Sequence, residues 1–277
     1  MTKMKGPAAC FAQLETTESL HSRVTRALAL HLIEAERNGQ PIAFPNEGEL
    51  CKQLGVSRSI LREAVKVLEN KGMVQVRPRA GTRSRPRSAW NQLDPDILAW
   101  QSELKPDPRF LRDLCEVRLA IEPIASGFAA LRAGQEEIAL IRQCLERRLE
   151  IHAAEDLAAA IDADLQYHTA VVAASHNPLF QQLNATIHDP YRVALSYTLL
   201  LPAAVALELE EYRKLTDAIE QRNPLAARRS AEEIVGLAML EVEQVIRDQE
   251  NAKNPAASSR RARKPHAIHI ARSRPEP

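Results

Sequence analysis

The stretch that decides the fold runs from Asn46 to Gly72 and reads NEGELCKQLGVSRSILREAVKVLENKG. Its apolar residues recur every three or four positions in two blocks, which is the spacing of helices buried along one face. Asn46 and Ser57 each precede one block, and both residue types cap helices by accepting a backbone hydrogen bond. Between the blocks, Gly55-Val56-Ser57 predicts a tight turn. The stretch therefore predicts two short helices joined by a turn.

The start of the second predicted helix carries side chains that are suited to DNA. Arg58, Ser59 and Arg62 lie near its N-terminal end and largely off the apolar stripe. Arg can bond a guanine edge with two donors, and Ser can bond a base edge or a phosphate. We predict that these residues, with Ser57 and the more distant Lys66, contact DNA in the major groove.

A short alternating run, MVQVRPRAGT, follows Gly72 and turns at Gly81. Alternation with a glycine turn predicts a β-hairpin, which behind a helix-turn-helix forms a wing. Arg79 and Gly81 are its predicted DNA-contacting residues. Cations outnumber the carboxylates Glu63 and Glu69 in this region. They are Arg58, Arg62, Lys66, Lys71, Arg77, Arg79, Arg83, Arg85 and Arg87.

The same residues resemble the DNA-binding module of GntR-type transcription regulators. The resemblance rests on Pro45, Glu47, Leu50, Leu54-Gly-Val-Ser-Arg58, Leu61-Arg-Glu-Ala64, Leu68, Gly72 and Gly81. Two positions depart from the family: Gly48 stands where Arg is frequent, and Arg79 where Gly is usual. The alternative interpretation is an ordinary helical hairpin whose charges face water.

The second half of the chain shows one helical pattern after another, with a break at Pro123, and no strand pattern. We predict a mainly α protein, with an N-terminal winged helix-turn-helix and a C-terminal all-helical bundle of about six or seven helices. This half resembles the FadR-type ligand-binding (FCD) domain of the same family, in the branch that includes regulators of galactonate operons. The matching residues are Glu116-Val-Arg118, Glu122-Pro123, Asp164-x-x-x-His168 and His176-Asn-Pro-Leu179.

Composition and periodicity divide the chain into five predicted segments. These are a flexible N-terminus at 1–16, the winged helix-turn-helix domain at 17–87, a linker with a connecting helix at 88–107, the helical effector-binding and dimerisation domain at 108–250, and a basic disordered tail at 251–277.

The resemblance implies an effector site in the helical half. It places Arg118 and Glu122, four residues apart, in the ligand cavity; the alternative is a surface ion pair of i,i+4 geometry. Arg192 is a second candidate cation for a carboxylate, since guanidinium matches a carboxylate with two parallel hydrogen bonds. Effector hydroxyls would then be met by Glu122 together with Asp164, His168 and Tyr212.

Asp164 and His168 also raise the question of a metal. They lie four apart on a predicted helix and could share a divalent ion. In many regulators of this family two further His residues complete the set, but the corresponding positions here are Tyr212 and Ile234. Because two ligands rarely hold a metal tightly, we expect no firm cofactor, with zinc at Asp164 and His168 as the open alternative.

Composition narrows the class of protein. The 277 residues carry a net charge of only +1, with a basic module ahead of a more acidic half, which fits a nucleic-acid reader with a separate partner domain. The four cysteines form no CxxC pair, so neither a zinc knuckle nor a redox pair is predicted. No apolar run could span a membrane, and we expect a cytoplasmic protein.

These observations predict a homodimeric regulator that binds double-stranded DNA at an inverted-repeat operator and is not an enzyme. We expect a repressor that a small organic acid, such as a sugar acid, releases from DNA. Two alternatives stay open. One is a metal-dependent enzyme using Asp164 and His168, although no nucleophile motif or phosphate loop accompanies them. The other is a DNA-architectural protein without an effector pocket.

Overall fold

The computed structural model describes residues 19–77, 81–105, 107–151, 156–199 and 205–253. It confirms the mainly α fold class and divides the chain into two units that meet between Gln101 and Ser102. The predictions for the N-terminus at 1–16, for Arg79 and for nearly all of the tail at 251–277 lie outside the described residues. The predicted domain boundaries otherwise stay predictions.

The first unit contains the predicted helix-turn-helix and wing. Its elements are α1 (Leu20–Arg37), α2 (Glu47–Leu54), α3 (Arg58–Asn70), β1 (Val74–Arg77), β2 (Gly81–Ser84), a 3-10 turn (Arg87–Ala89) and α4 (Pro95–Glu103). The two strands pair antiparallel, with Val74 opposite Ser84 and Arg77 opposite Gly81.

Local sequence explains where α2 and α3 begin and end. The Asn46 side chain accepts a hydrogen bond from the Glu49 backbone, and the Ser57 side chain accepts one from the Ile60 backbone. Gly55 ends α2 in the left-handed conformation, with a φ of 66°, which glycine adopts without steric cost. Asn46, Gly55 and Ser57 thus determine where the two helices and the turn between them begin and end.

A small core orients α3. The buried apolar faces of α1 and α3 pack together, and they are contributed by Leu28, Leu32 and Ile33 of α1 and by Leu61, Ala64 and Leu68 of α3. This packing leaves the opposite face of α3 exposed to solvent.

The segment after the wing packs against the first unit. The Trp90 indole donates to the Arg85 carbonyl oxygen at 2.9 Å. The Lys71 ammonium lies 2.6 Å from Asp94 and 2.7 Å from Asp96. The buried residue Ile97 anchors α4. Residues 88–101, which the sequence places in a linker, are therefore part of the folded first unit.

The second unit is all-helical within its described residues. Its six helices are α5 (Pro108–Arg132), α6 (Gln135–Glu150), α7 (Leu157–Ala173), α8 (Pro178–Thr198), α9 (Val205–Glu220) and α10 (Pro224–Lys253). The helical break predicted at Pro123 is wrong, because α5 continues through it. Pro123 is buried, and packing of α5 against α10, α7 and α9 stabilises the continuous helix against the local cost of the proline.

Two apolar clusters form the interior of this unit. One includes Tyr167, Tyr212 and Ile234, and the other includes Leu165 and Cys115. Four polar residues of this unit are buried as well: Arg118 and Glu122 on α5, and Asp164 and His168 on α7. The fold therefore holds these side chains away from water.

Candidate functional site

The exposed face of α3 gathers five of the predicted DNA-contacting residues: Ser57, Arg58, Ser59, Arg62 and Lys66. The Arg58 and Arg62 side chains are 73% and 69% exposed. The hydroxyls of Ser57 and Ser59 are hydrogen-bonded to each other at 2.9 Å. A helix with accessible Arg and Ser at its N-terminal end matches the donor pattern used in the major groove.

The carboxylate of Glu47, at the start of α2, lies near both arginines of this face. The Arg62 Nε donates to Glu47 at 2.9 Å, and the Arg58 Nε lies 3.8 Å from the same carboxylate. The sequence offered Glu47 only as part of the family motif. The structure adds its hydrogen bond to Arg62.

The wing is attached to the segment that precedes α2. The Phe44 backbone donates to the Thr82 carbonyl oxygen at 3.0 Å, and the Ser84 backbone donates to that of Ile42 at 2.8 Å. Gly81 starts β2 with a φ of 78°, which a non-glycine residue would rarely adopt. The wing is thus fixed on the same unit as α3.

The helical half contains a buried polar cluster centred on Arg118. Its side chain is 1% exposed and is paired with Glu122 at 2.5 Å. The Arg118 Nη2 lies 3.2 Å from His168 Nε2, and the guanidinium carbon lies 3.8 Å from the centre of the Tyr191 ring. The surface ion pair considered for Arg118 and Glu122 is therefore wrong, since both residues are buried.

His168 joins this pair to Asp164 and Tyr212. Its Nδ1 lies 2.9 Å from a Glu122 oxygen, and its Nε2 is hydrogen-bonded to the Tyr212 hydroxyl at 2.8 Å. The same hydroxyl donates to Asp164 at 2.7 Å. Four of the five residues in these contacts come from α5 and α7, and Tyr212 comes from α9.

Arg148 adds a second guanidinium group to the cluster, next to Asp164. Arg148 Nε lies 3.3 Å from Asp164, with both side chains nearly inaccessible. Burial acts to raise the pKa of Glu122, but the charges of Arg118 and His168 lower it to about 2. Burial opposes the charged form of Arg118, but the Glu122 carboxylate raises its pKa. Glu122 is therefore ionised at neutral pH.

Arg192 does not join the cluster. Its guanidinium pairs with Asp162, and its side chain is 43% exposed. Sequence reasoning instead missed Arg148 and Tyr191. A signal for Arg148 existed, because it falls on the buried stripe of α6 with Ile141 and Leu145. Nothing in the sequence distinguishes Tyr191 as the partner of Arg118.

A small cavity adjoins the cluster between α7 and α8. Arg118, Glu122, His168 and Tyr191 line its inner side, and its volume of about 10 Å³ suits a single water molecule. Arg118 Nη1 is buried and has no hydrogen-bond partner among the described residues. A residue that lines the cavity therefore has an unused donor of a buried cation.

Three of the cavity residues also line an open pocket of about 430 Å³ on the surface: Thr169, Asn184 and His188. The Asn184 amide donates to the Thr169 hydroxyl at 3.3 Å. These side chains separate the large outer pocket from the buried cluster. The outer pocket thus lies next to the buried cluster, between α7 and α8.

The cluster does not fit a divalent metal. No group of three or more His, Cys, Asp or Glu side chains among the described residues could hold a metal ion. Glu122 contacts one ring nitrogen of His168 and Asp164 lies on the side of the other, so the two carboxylates do not converge. Asp164 Oδ2 lacks a hydrogen-bond partner, but His168 Nε2 lies 3.7 Å from it and already contacts Tyr212 and Arg118.

Comparison with known proteins places both halves. A family model described as bacterial regulatory proteins, gntR family, matches residues 22–83, and an FCD domain matches residues 113–236. The galactonate operon transcriptional repressor of Escherichia coli (strain K12) is 34% identical over 194 residues, covering 70% of this chain and 83% of the repressor. The Glc operon transcriptional activator of the same organism is 28% identical over 204 residues, covering 71% and 78% respectively.

Among solved structures, a Streptococcus agalactiae GntR protein aligns with a TM-score of 0.44 and 24% identity, covering 79% of this chain and 99% of its own. Within the described ranges, no helix combines the length and apolar character that a bilayer crossing requires. The exposed face of α3, the wing and the two matched domains lead to one assignment. The chain belongs to the GntR family of DNA-binding transcription regulators, in the FadR-like subfamily that carries an FCD domain.

Proposed function

We propose that this regulator is a homodimeric repressor that a small organic acid, with a sugar acid as the first candidate, releases from its operator. One observation carries the proposal: Arg118 is buried, lines a cavity and keeps Nη1 without a hydrogen-bond partner among the described residues. A buried unused donor costs free energy, which a bound acceptor would recover. Because the donor belongs to a cation, a carboxylate is the acceptor that it favours.

The polar lining supports a ligand that carries hydroxyl groups. Glu122 and His168 line the cavity, whereas Asp164 and Tyr212 are not among its lining residues. Thr169, Asn184 and His188 line the outer side instead. Hydroxyl, amide and imidazole groups can each donate to or accept from a sugar hydroxyl. This lining suits a hydroxylated chain better than an acyl tail.

The cavity is too small for a sugar acid in the described conformation, because it has room for about one water molecule. A ligand of that size would select a conformation in which α7 and α8 are further apart. If that conformation binds DNA less tightly, ligand binding reduces operator occupancy by mass action. This coupling is the proposed basis of release.

The relatives support the ligand class and leave the direction of regulation to experiment. One relative is named for a galactonate operon and is a repressor, and another is named as an activator of the Glc operon. We favour repression because the first relative is the more similar. The proposed place of action is the cytoplasm, where a bacterial regulator meets its operator.

The test is a thermal shift and DNA-release assay with a panel of aldonates, fatty acyl thioesters and amino acids. We expect an aldonate to raise the melting temperature and loosen the DNA complex. Arg118→Ala should lose both responses while it still binds DNA. If burial of the unpaired Glu122 unfolds that variant, Arg118→Met combined with Glu122→Gln removes both charges. Arg192→Ala is the matched control, because Arg192 pairs with Asp162 outside the cluster and should respond normally.

The other outcomes separate the alternatives. A response only to acyl thioesters or amino acids would replace the ligand class and keep the regulator. No response to any compound, with sequence-independent DNA binding, would favour an architectural protein. Turnover of a compound that is lost in Asp164→Asn would favour an enzyme.

A further inference from the structure

The buried contacts of Tyr212 and Arg148 carry an inference beyond the identity of the effector. We infer that the Asp164–His168 centre works without a metal ion, because the Tyr212 hydroxyl and the Arg148 guanidinium take the roles that a divalent cation would have there. Those roles are to connect Asp164 with His168 and to compensate the charge of Asp164. This inference does not depend on the proposed effector.

The first role belongs to the Tyr212 hydroxyl. It donates to Asp164 Oδ1 at 2.7 Å and is hydrogen-bonded to His168 Nε2 at 2.8 Å. A zinc ion at this pair would need His168 Nε2 as a ligand, at a shorter distance of about 2.0–2.1 Å, and that nitrogen already contacts the Tyr212 hydroxyl and Arg118 Nη2. The Tyr212 hydroxyl therefore connects Asp164 and His168 by hydrogen bonds, and it occupies the ring nitrogen that a metal ion would require.

The second role belongs to Arg148. Its Nε lies 3.3 Å from Asp164 Oδ1, and the Arg118 Nη2 lies 3.2 Å from His168 Nε2 on the other side. A divalent cation between Asp164 and His168 would stand a few ångströms from two guanidinium charges in a buried region, where such repulsion is only weakly screened. The electrostatic surroundings thus favour hydrogen bonding over metal binding.

Ile234 occupies the second position at which many regulators of this family have a ligand His, and its side chain is apolar. Ile234 is 1% exposed and belongs to the same apolar cluster as Tyr212, so it offers no metal ligand. Arg148 and Tyr212 are accordingly positioning residues: they hold Asp164 and His168 in place behind Arg118 without touching the cavity.

Zinc itself is the probe that tests this inference. The full chain is dialysed against a chelator and then titrated with zinc, while bound zinc and the melting temperature are measured. We expect the wild type to take up far less than one zinc per chain, and its melting temperature to be unchanged by zinc or by the chelator. Uptake close to one zinc per chain, or a melting temperature that the chelator lowers, would overturn the inference.

A pair of variants tests the roles of the two residues. Tyr212→His with Arg148→Met supplies a third ligand and removes the competing charge, so zinc should now bind and raise the melting temperature. If this double variant does not fold, Tyr212→His alone should show a smaller zinc-dependent rise. Tyr167→His is the matched control, because the Tyr167 hydroxyl bonds Thr216 away from Asp164, and it should gain no zinc affinity. Zinc-insensitive folded variants would show that Tyr212 and Arg148 do not replace a cation.

Discussion

A single carboxylate, Glu122, connects the two parts of the buried cluster. It is paired with the Arg118 guanidinium and with His168 Nδ1, and it has little exposure. Removing one partner of a buried ion pair leaves the other charge uncompensated, which typically costs about 3–5 kcal/mol. Arg118 and Glu122 therefore stabilise the domain only as a pair, and a ligand must bind beside that pair without breaking it.

The depressed pKa of Glu122 predicts a pH-dependent stability. Its pKa falls from the ordinary value of 4.5 to about 2 in the folded chain, so its stabilising contribution is present above about pH 4.5 and is lost as pH falls toward about 2. We expect the free energy of unfolding of wild type to exceed that of Glu122→Gln near neutral pH, with the difference shrinking between these pH values. Urea unfolding of both proteins across that range measures it. A constant difference would contradict the assignment.

The arginines of α3 predict a loss of sequence-specific DNA affinity. If Arg58 and Arg62 each make a bidentate base contact, Arg58→Ala or Arg62→Ala should weaken specific binding by about 1–3 kcal/mol. Lys66→Ala should instead weaken binding about equally for all sequences, because we expect Lys66 to contact phosphate, which carries no sequence information. Gel-shift titrations with selected and random duplexes distinguish the two effects. Unchanged operator affinity in both arginine variants would contradict the placement of α3 in the groove.

Glu47 predicts a separate effect on discrimination. Glu47→Gln removes the carboxylate that Arg62 contacts at 2.9 Å, so random DNA should bind more tightly while the ratio of specific to non-specific affinity falls. The control is Glu49→Gln, which removes an equal charge from the same helix but whose carboxylate bonds Gln53. Equal ratios for the two variants at one salt concentration would show that Glu47 acts only through its charge.

Sequence alone found most of the residues that carry these predictions. Helical phase and family motif placed Arg118, Glu122 and His168, because their spacing of i,i+4 and their motifs do not depend on distant contacts. From sequence alone, Arg192 is a candidate cation of the effector site. The neighbouring residue, Tyr191, contacts Arg118 instead, and Arg192 pairs with Asp162. Near Pro190 in α8, packing decides which of two neighbouring side chains is buried, and no local sequence pattern shows that.

At the scale of elements, the positions of caps and turns were predictable, whereas the continuity of α5 was not. A capping side chain bonds the backbone within three residues, so Asn46 and Ser57 predict the starts of their helices from sequence alone. Pro123 has the local signature of a break, and its cost of about 3 kcal/mol is offset only by long-range packing of α5 on α10. The contact between Lys71 and Asp94 spans 23 residues, so no local pattern indicates it either.

The end of α3 supplies a prediction for element packing. Gly72 has a φ of 77°, and a Cβ there would meet the Ala89 backbone oxygen at 2.3 Å. Gly72→Ala should lower the free energy of unfolding by more than the roughly 1–2 kcal/mol of left-handed strain, because the turn before α4 must also move. Gly55→Ala is the control, since its φ is 66° but a Cβ would meet nothing within 4 Å. Denaturant unfolding that gives equal losses would contradict this close approach.

For the whole molecule, each unit has its own apolar core and its own polar site. The first unit presents α3 and the wing, and the second encloses Arg118 without using residues of the first. Because of this division, the family motif in the first unit predicts DNA binding but gives no information about the effector. The effector class has to be argued from the side chains of the second unit. The described residues predicted to contact DNA are exposed, on or beside α3 and at Gly81 of the wing, whereas the cavity next to Arg118 takes side chains from three helices.

The operator should have the symmetry of the protein that binds it. A homodimer with two-fold symmetry presents two copies of α3 related by that axis, so its DNA site should be an inverted repeat. We expect selection from a random duplex pool to enrich such a repeat, and light scattering of the complex to give two chains per duplex. Each mismatched base pair in one half-site should cost about 1–3 kcal/mol, and loss of a whole half-site should cost far more. Measuring the DNA affinity of Arg62→Ala on full sites and on half-sites tests the symmetry. On the full site, both copies of Arg62 should contribute equally to the free energy of binding. Enrichment of a single half-site bound by one chain would contradict the dimer, whereas a direct repeat would keep two chains and contradict their two-fold arrangement.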